Sequence, residues 1–314
     1  MGAQKVYYWD RIAFFITTLL TALIGAPLYA WHYGLLISDV VLFFSFLIAC
    51  CLSITLGYHR LFSHHAFEAH WVVRLVTLVF GAGALEGSVL LWCAEHRRHH
   101  RFTDEALDPY NGSEGFWHAH IGWSLIRRTE AIKDNVGDLR RDRLVVWQDR
   151  YFHLIGPASA YALPALIGWI WNGGHGAFGG FLVAGVTRVV FVQQFTFCIN
   201  SVCHNFGRKP YSNRCSARDN FLVALFTFGE GYHNFHHRFQ SDYRNGVKPW
   251  QFDPTKWCIL LLSFFGLTWR LNRVASEVIL KAELVEAQRK INAQIESGAL
   301  RISSSLEQEL EEAQ

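Results

Sequence analysis

The chain has 314 residues, 51% of them hydrophobic, with 12 Trp and 25 Phe. Its mean hydropathy is positive, unlike that of ordinary soluble proteins, and a formal charge of only +3 leaves no electrostatic footprint for nucleic acid. Seven cysteines without a C-x-x-C pair argue against a disulfide scaffold or a zinc ribbon; Cys50, Cys51 and Cys198 lie inside apolar runs and read as small buried hydrophobes in a reduced setting.

In chain order, the first apolar run is too long for the core of a secretion signal and lacks a convincing small-residue cleavage site. A spanning helix needs roughly 20 mostly apolar residues. Four stretches qualify, at 12–33, 39–58, 153–171 and 178–199. The connectors 34–38 and 172–180 hold no Lys or Arg, whereas residues 93–150 hold ten and the chain after Asn200 holds fourteen. That asymmetry places both termini and the long middle segment in the cytoplasm. The expected fold is an all-α integral membrane protein with four transmembrane helices in two hairpins. A cytoplasmic helical cap, 59–152 and 200–272, completes a domain over 1–272, and a charged helical tail follows at 273–314.

Three further segments need separate readings. The apolar run 72–92 is interrupted by Arg74, Glu86 and several glycines. If it spanned, the histidines on either side of it would face opposite sides of the membrane, so it reads as a cytoplasmic or interfacial helix pair. The run 257–269 is too short to span and reads as a surface-docked helix. Arg188 lies inside the fourth span and is expected to snorkel toward the far interface. The tail is rich in Glu, Gln, Lys and Ala and reads as a solvated accessory helix with a break near Ser297 and Gly298.

Nine histidines fall into four groups: His59 and His64 in HRLFSH, His96, His99 and His100 in HRRHH, His204 in NSVCH, and His233, His236 and His237 in HNFHH. All map to cytoplasmic helix ends or cytoplasmic segments. The i, i+3, i+4 spacing puts three imidazoles on one helix face, twice over. His59 and His64 are five apart, which works best across a helix end. Nine ligands suit two metals rather than one, and imidazole alone leaves iron, copper, nickel and zinc open. Glu95, Asp104, Asp108, Asp219 and Glu230 flank the groups and are candidate acceptors for the second ring nitrogen. Asn200, one helical turn before His204, is a candidate for holding a metal-bound water. His32, His65, His70, His118, His120, His153 and His175 read as surface or structural.

The stretches GYHRLFSHHAF, EHRRHHRFTDEALDPYN, HIGWSLIRR, NSVCHNFGRKPY, ARDN and GEGYHNFHHRFQSDYRNG make the chain resemble the membrane-bound acyl-CoA Δ9 desaturases over roughly residues 12–271. The resemblance implies a mushroom of four transmembrane helices under a cytoplasmic cap. It implies two irons held by the nine histidines, with Asn200 on a water at one of them. Dioxygen and two electrons would then insert a cis double bond into an acyl chain. By the same resemblance Leu47 and Cys51 line the closed end of an acyl tunnel, Trp92 and Trp123 lie beside it, and Arg127 and Arg128 meet CoA phosphates.

Some positions depart from that pattern: Ala94 stands for an arginine, Gly87 for an asparagine, and Glu86 differs from the animal sequences. A CoA thioester remains the first choice of substrate, with an acyl-lipid or acyl-carrier-protein substrate, or hydroxylation by the same centre, as alternatives. No H-P-G-G haem motif and no G-x-G-x-x-G fingerprint occur. Electrons are therefore expected from a separate ferredoxin, cytochrome b5 or flavin reductase, drawn to a basic cytoplasmic face. The C-terminal LEEAQ lacks a dilysine signal, which favours a bacterial inner membrane over the endoplasmic reticulum.

Overall fold

The computed structural model describes residues 6–126 and 135–299. Among them, three helical stretches are long and apolar enough to cross a membrane: α1 (Trp9–Tyr33), α2 (Ile37–Ser63) and α5 (Arg143–Asn205). Between α2 and α5 lie β1 (Glu68–Ala69), α3 (Trp71–Ala82) and α4 (Val89–Phe102). After α5 come α6 (Phe221–Phe226), α7 (His233–Arg238), α8 (Pro254–Phe264), β2 (Thr268–Trp269) and α9 (Ser276–Glu296).

Local chemistry sets the ends of these elements. Gly34, with a φ of 73° that side chains resist, stops α1. Asp39 then caps α2 by accepting from the Leu36 amide at 3.0 Å, and it also accepts from the Tyr29 hydroxyl at 2.8 Å, tying α1 to α2. α5 is one long helix with a single break: Asn172 and Gly173 leave helical geometry, Gly173 with a φ of 60°. The two arms reverse tightly there, because Gly168 and Gly176 pack backbone on backbone where any Cβ would collide. Outward side chains such as Leu23, Leu28, Trp31, Trp169 and Ile170 are exposed, as lipid-facing residues are.

The main core joins α2 to the crossing helices. Cys50, Ile54, Tyr58, Leu78, Val89 and Cys93 are all buried in one cluster, so the cysteines behave as packing residues. The two short strands pair antiparallel, Glu68 opposite Trp269, and staple the segment after α2 to the segment after α8. Trp269 Nε1 and Arg270 both donate to the Glu68 carboxylate at 2.7 Å.

Two expectations change here. Arg188 does not snorkel: it is fully buried and donates inward to the carbonyls of Gly83, Ala160 and Ala184. The local rule fails because folding brings unpaired carbonyls within the side chain's reach. The tail helix α9 is not simply solvated either. Ile279 is buried with Tyr211 and Phe235, and Glu286 accepts from the Asn213 amide at 3.0 Å, so α9 packs behind the histidine-bearing α7.

Candidate metal centre

Four pieces of backbone deliver the histidines. α2 ends in π-helical winding from Ser53 to Ser63, and the His64 amide donates to the His59 carbonyl, five residues back, at 3.2 Å. Five residues of ordinary α-helix would set the two side chains about 140° apart. The wider turn brings them together instead, edge to face with ring centroids 4.9 Å apart, a use of π winding typical of functional sites. His59 therefore lies inside the helix, with His64 at its end. α4 carries His96, His99 and His100, the end of α5 carries His204, and α7 carries His233, His236 and His237.

These nine side chains gather into two groups. His59, His64, His96, His100 and His236 form one, and His99, His204, His233 and His237 the other; within each, the ring nitrogens lie within 4.8 Å of one another. In the first group Nε2 atoms meet at 2.8 Å (His64 and His96; His100 and His236) and 3.0 Å (His59 and His236). In the second they meet at 3.0 Å (His233 and His237), 3.1 Å (His204 and His233) and 3.2 Å (His99 and His237).

The far ring nitrogens decide what this means. His59 Nδ1 faces Glu230 at 2.6 Å and His99 Nδ1 faces Asp108 at 2.8 Å. His204 Nδ1 meets the Ser216 hydroxyl at 2.6 Å. Each acceptor holds the proton on Nδ1, leaving a lone pair on Nε2. Convergent lone pairs repel unless a cation lies between them, so the donor set fits a metal in each group. Burial, reinforced by neighbouring imidazoles, holds His96, His100, His233, His236 and His237 well below the ordinary histidine range. They are kept neutral, as ligands must be.

The flanking acids divide by role. Burial pushes the Asp108 and Glu230 carboxyls up, but the bond and charge of His99 on Asp108, and of His59 and Arg60 on Glu230, outweigh it and hold both below the usual range. Asp104 reaches His204 through the Ser216 hydroxyl rather than directly. Asp219 touches no ring: it accepts from the Asn234 and Phe235 amides at 2.8 and 3.1 Å and so caps α7. Glu95 lines the neighbouring cavity. Sequence reasoning missed Ser216 and Arg60, whose side chain bridges Glu230 and Asp253 at 2.9 and 3.0 Å. The charge of Arg60, set inside an apolar helix beside His59, was the available signal.

An apolar cavity of about 550 Å³ opens beside both groups and is lined by His59, His96 and His233 as well as by Cys51, Trp92, Trp123 and Asn200. Trp92 stacks on His96 with ring centroids 4.9 Å apart. Leu47 lies one turn further along α2, in the packed core rather than on the cavity wall. Arg127 and Arg128 lie outside the described residues. His120, read as surface or structural, is buried between Ser201 at 2.9 Å and Gln194 at 3.1 Å.

A family model for fatty acid desaturases matches residues 38–260. The chain belongs to the fatty acid desaturase family. It is 42% identical to acyl-CoA desaturase 1 of Saccharomyces cerevisiae over 277 residues, 85% of this chain and 54% of that protein. It is 42% identical to a probable acyl-CoA desaturase of Schizosaccharomyces pombe, over 76% of this chain and 50% of the relative. Human stearoyl-CoA desaturase is 33% identical over 87% of this chain and 77% of its own length. The chain thus spans about half the length of the two yeast relatives. These relatives are eukaryotic, so they lend no weight to a bacterial inner membrane.

Glu86 adds a pH dependence to the cavity. It lines the cavity, accepts from Trp92 Nε1 at 3.2 Å, and burial pushes its carboxyl up to about 7. The unfolded chain sheds that proton near 4.5, the ordinary value for a glutamate, so between these values the folded state holds the extra proton. Stability therefore falls as pH climbs through the window. A charged Glu86 also disfavours an apolar occupant. The substrate KM is expected to rise above about pH 7 and to stay flat in Glu86→Gln; a KM profile of the same shape in both proteins would remove Glu86 from the effect.

Proposed function

We propose that the chain introduces a cis double bond, at the Δ9 position, into a saturated fatty acyl chain presented as a CoA thioester. The observation that carries this reading is the meeting of both histidine groups with one apolar cavity. An unactivated methylene has no acidic proton and no leaving group, so side-chain acid–base chemistry cannot break its C–H bonds. Two irons, when bound by the nine histidines, would supply the oxidising power; overall, dioxygen, two electrons, two protons and the two hydrogens lost by the substrate would give the alkene and two waters. The protein's own part is positioning, since neighbouring methylenes are nearly alike chemically and only placement selects one bond. The Cys51, Trp92 and Trp123 side chains would confine the acyl chain, and Asn200 would hold a water beside His204.

The CoA carrier is favoured by the names of the relatives, acyl-CoA and stearoyl-CoA desaturase, and Arg127 and Arg128 would take its phosphates. Electrons would come from a ferredoxin, a cytochrome b5 or a flavin reductase. Arg101 and Arg238, exposed at the ends of the histidine helices, suit an acidic donor. Four membrane crossings follow if the two arms of α5 each span. The Lys and Arg distribution then supports both termini and the segments 59–152 and 200–272 on the cytoplasmic side.

The test is a fatty-acid profile. The chain, and its His99→Ala form, are expressed in a host unable to make Δ9 unsaturated acids, and total lipids are analysed by mass spectrometry after derivatising the double bonds. New cis-Δ9 acids are expected from the intact protein alone. A hydroxy acid in place of an alkene would move the reading to hydroxylation.

A further inference from the structure

Part of the cavity wall is a loop with no regular structure. Between α3 and α4 the chain runs Gly83, Ala84, Leu85, Glu86, Gly87, and Leu85 and Glu86 line the cavity together with Cys51 of α2. Leu85 sits in the left-handed region with a φ of 57°, where a branched apolar side chain rarely settles. Such a conformation persists only when its surroundings hold it. Its own turn supplies two bonds: the Ala84 amide to the Gly81 carbonyl at 3.1 Å and the Leu85 amide to the Ala82 carbonyl at 3.0 Å.

The rest comes from the second arm of α5. Gln193, 1% exposed, donates from its amide to the carbonyls of Ala84 and Leu85 at 3.1 and 3.2 Å. Arg188, 0% exposed, donates to the Gly83 carbonyl at 2.7 Å. The same guanidinium reaches the Ala160 carbonyl in the first arm at 3.0 Å and Cys50 Sγ on α2 at 3.4 Å. Three consecutive loop carbonyls are thus held by two side chains from one helix. That helix also sends Val192, Phe195 and Thr196 into the cavity wall. An arginine inside an apolar helix is expensive and marks a function by default. This one makes no contact with the histidines, so its work lies at the far wall of the cavity.

We propose that Arg188 and Gln193 are specificity-determining positioning residues: by clamping the carbonyls of Gly83, Ala84 and Leu85 they fix the wall that decides how deep an acyl chain enters, and so which chain lengths are accepted. This rests on the acyl desaturase reading. Neither side chain needs to touch substrate. Released from Gln193, the loop loses its outer anchor at the left-handed Leu85, and the space against Cys51 changes shape. Released from Arg188, the end of α3 and the loop part from Cys50.

The experiment compares full-length wild type, Gln193→Leu and Arg188→Lys in membranes, with a series of saturated acyl-CoA substrates of stepped length. It reads the product of each length, the kcat and KM for each, and the metal content. Gln193→Leu keeps an apolar helix position filled and removes both donors. It is expected to retain metal and turnover on the preferred length while the ratio of kcat/KM between lengths shifts by about fivefold, through KM, as two hydrogen bonds are lost. Gln193→Asn, which restores a shorter amide, should recover part of the wild-type ratio. Unchanged length ratios in Gln193→Leu, or a uniform loss across all lengths, would overturn the proposal. Arg188→Lys should shift the ratios in the same way; if it fails to accumulate, the Gln193 pair alone decides the matter. A wild type that makes no alkene from any length would instead sink the desaturase reading on which the test stands.

Discussion

Replacing His236 by alanine is expected to abolish product formation while leaving the protein inserted in the membrane. His236 links two other members of the five-histidine group: its Nε2 lies 3.0 Å from that of His59 and 2.8 Å from that of His100. Loss of an outer partner of a ligand typically costs 10–100-fold in affinity or activity, and loss of the ligand itself should exceed that. The missing ring also leaves a space beside the cavity that water can enter. The other group, His99, His204, His233 and His237, keeps all its nitrogens. Metal content should therefore fall by about half rather than to zero. Elemental analysis of purified protein, beside a product assay, checks both parts. A His236→Ala protein with full metal and full activity would remove His236 from the ligand set.

Glu230→Ala should be the most damaging change among residues outside the ligands. One carboxylate oxygen faces His59 Nδ1 at 2.6 Å and accepts from Asn245 at 2.7 Å, and the other accepts from Arg60 at 2.9 Å. Arg60, 1% exposed, would keep only Asp253 and the Tyr243 carbonyl. Breaking a buried pair outright costs about 3–5 kcal/mol; because Asp253 still pairs with Arg60, the expected cost lies below that. His59 would also lose what fixes its tautomer. The expected result is lower thermal stability together with weakened metal binding. Glu230→Gln should recover more of the packing than of the metal affinity, since a neutral amide can fill the space but balances the guanidinium poorly. Melting curves and metal titrations of the two variants separate these effects; equal metal affinity in wild type and both variants would refute the link from Glu230 to His59.

Spacing alone made six of the nine histidines stand out, because i, i+3, i+4 patterns depend only on helix geometry, and α4 and α7 are ordinary helices. The same reasoning set His59 and His64 across a helix end, where the structure has them, but nothing in HRLFSH announces the π winding between them. Asp108 and Glu230 could be picked from their nearness in sequence, yet Asp219, equally near, spends both its bonds on backbone amides. Ser216 was invisible: a serine twelve residues beyond His204 acquires its partner only when the chain folds back. Arg188 shows the limit of local rules in membranes. Snorkelling assumes that the only polar groups in reach are at the interface, whereas here broken and turning backbone supplied acceptors at depth. The tail misled for a related reason. Its polar composition hid one buried stripe, Ile279, Ala282 and Glu286, whose partner surface is built from distant segments.

The winding of α2 between His59 and His64 makes one part of the metal site a matter of counting. What keeps those rings together is the number of residues between two hydrogen-bonded backbone groups, so conservative side-chain swaps there leave the alignment alone. A single deletion in Arg60–Ser63 would let the helix relax to tighter winding and bring the rings four apart, with every downstream group turned relative to α4 and α7. Chimeras that graft the HRLFSH segment from one relative to another should therefore tolerate changes of letter far better than changes of length.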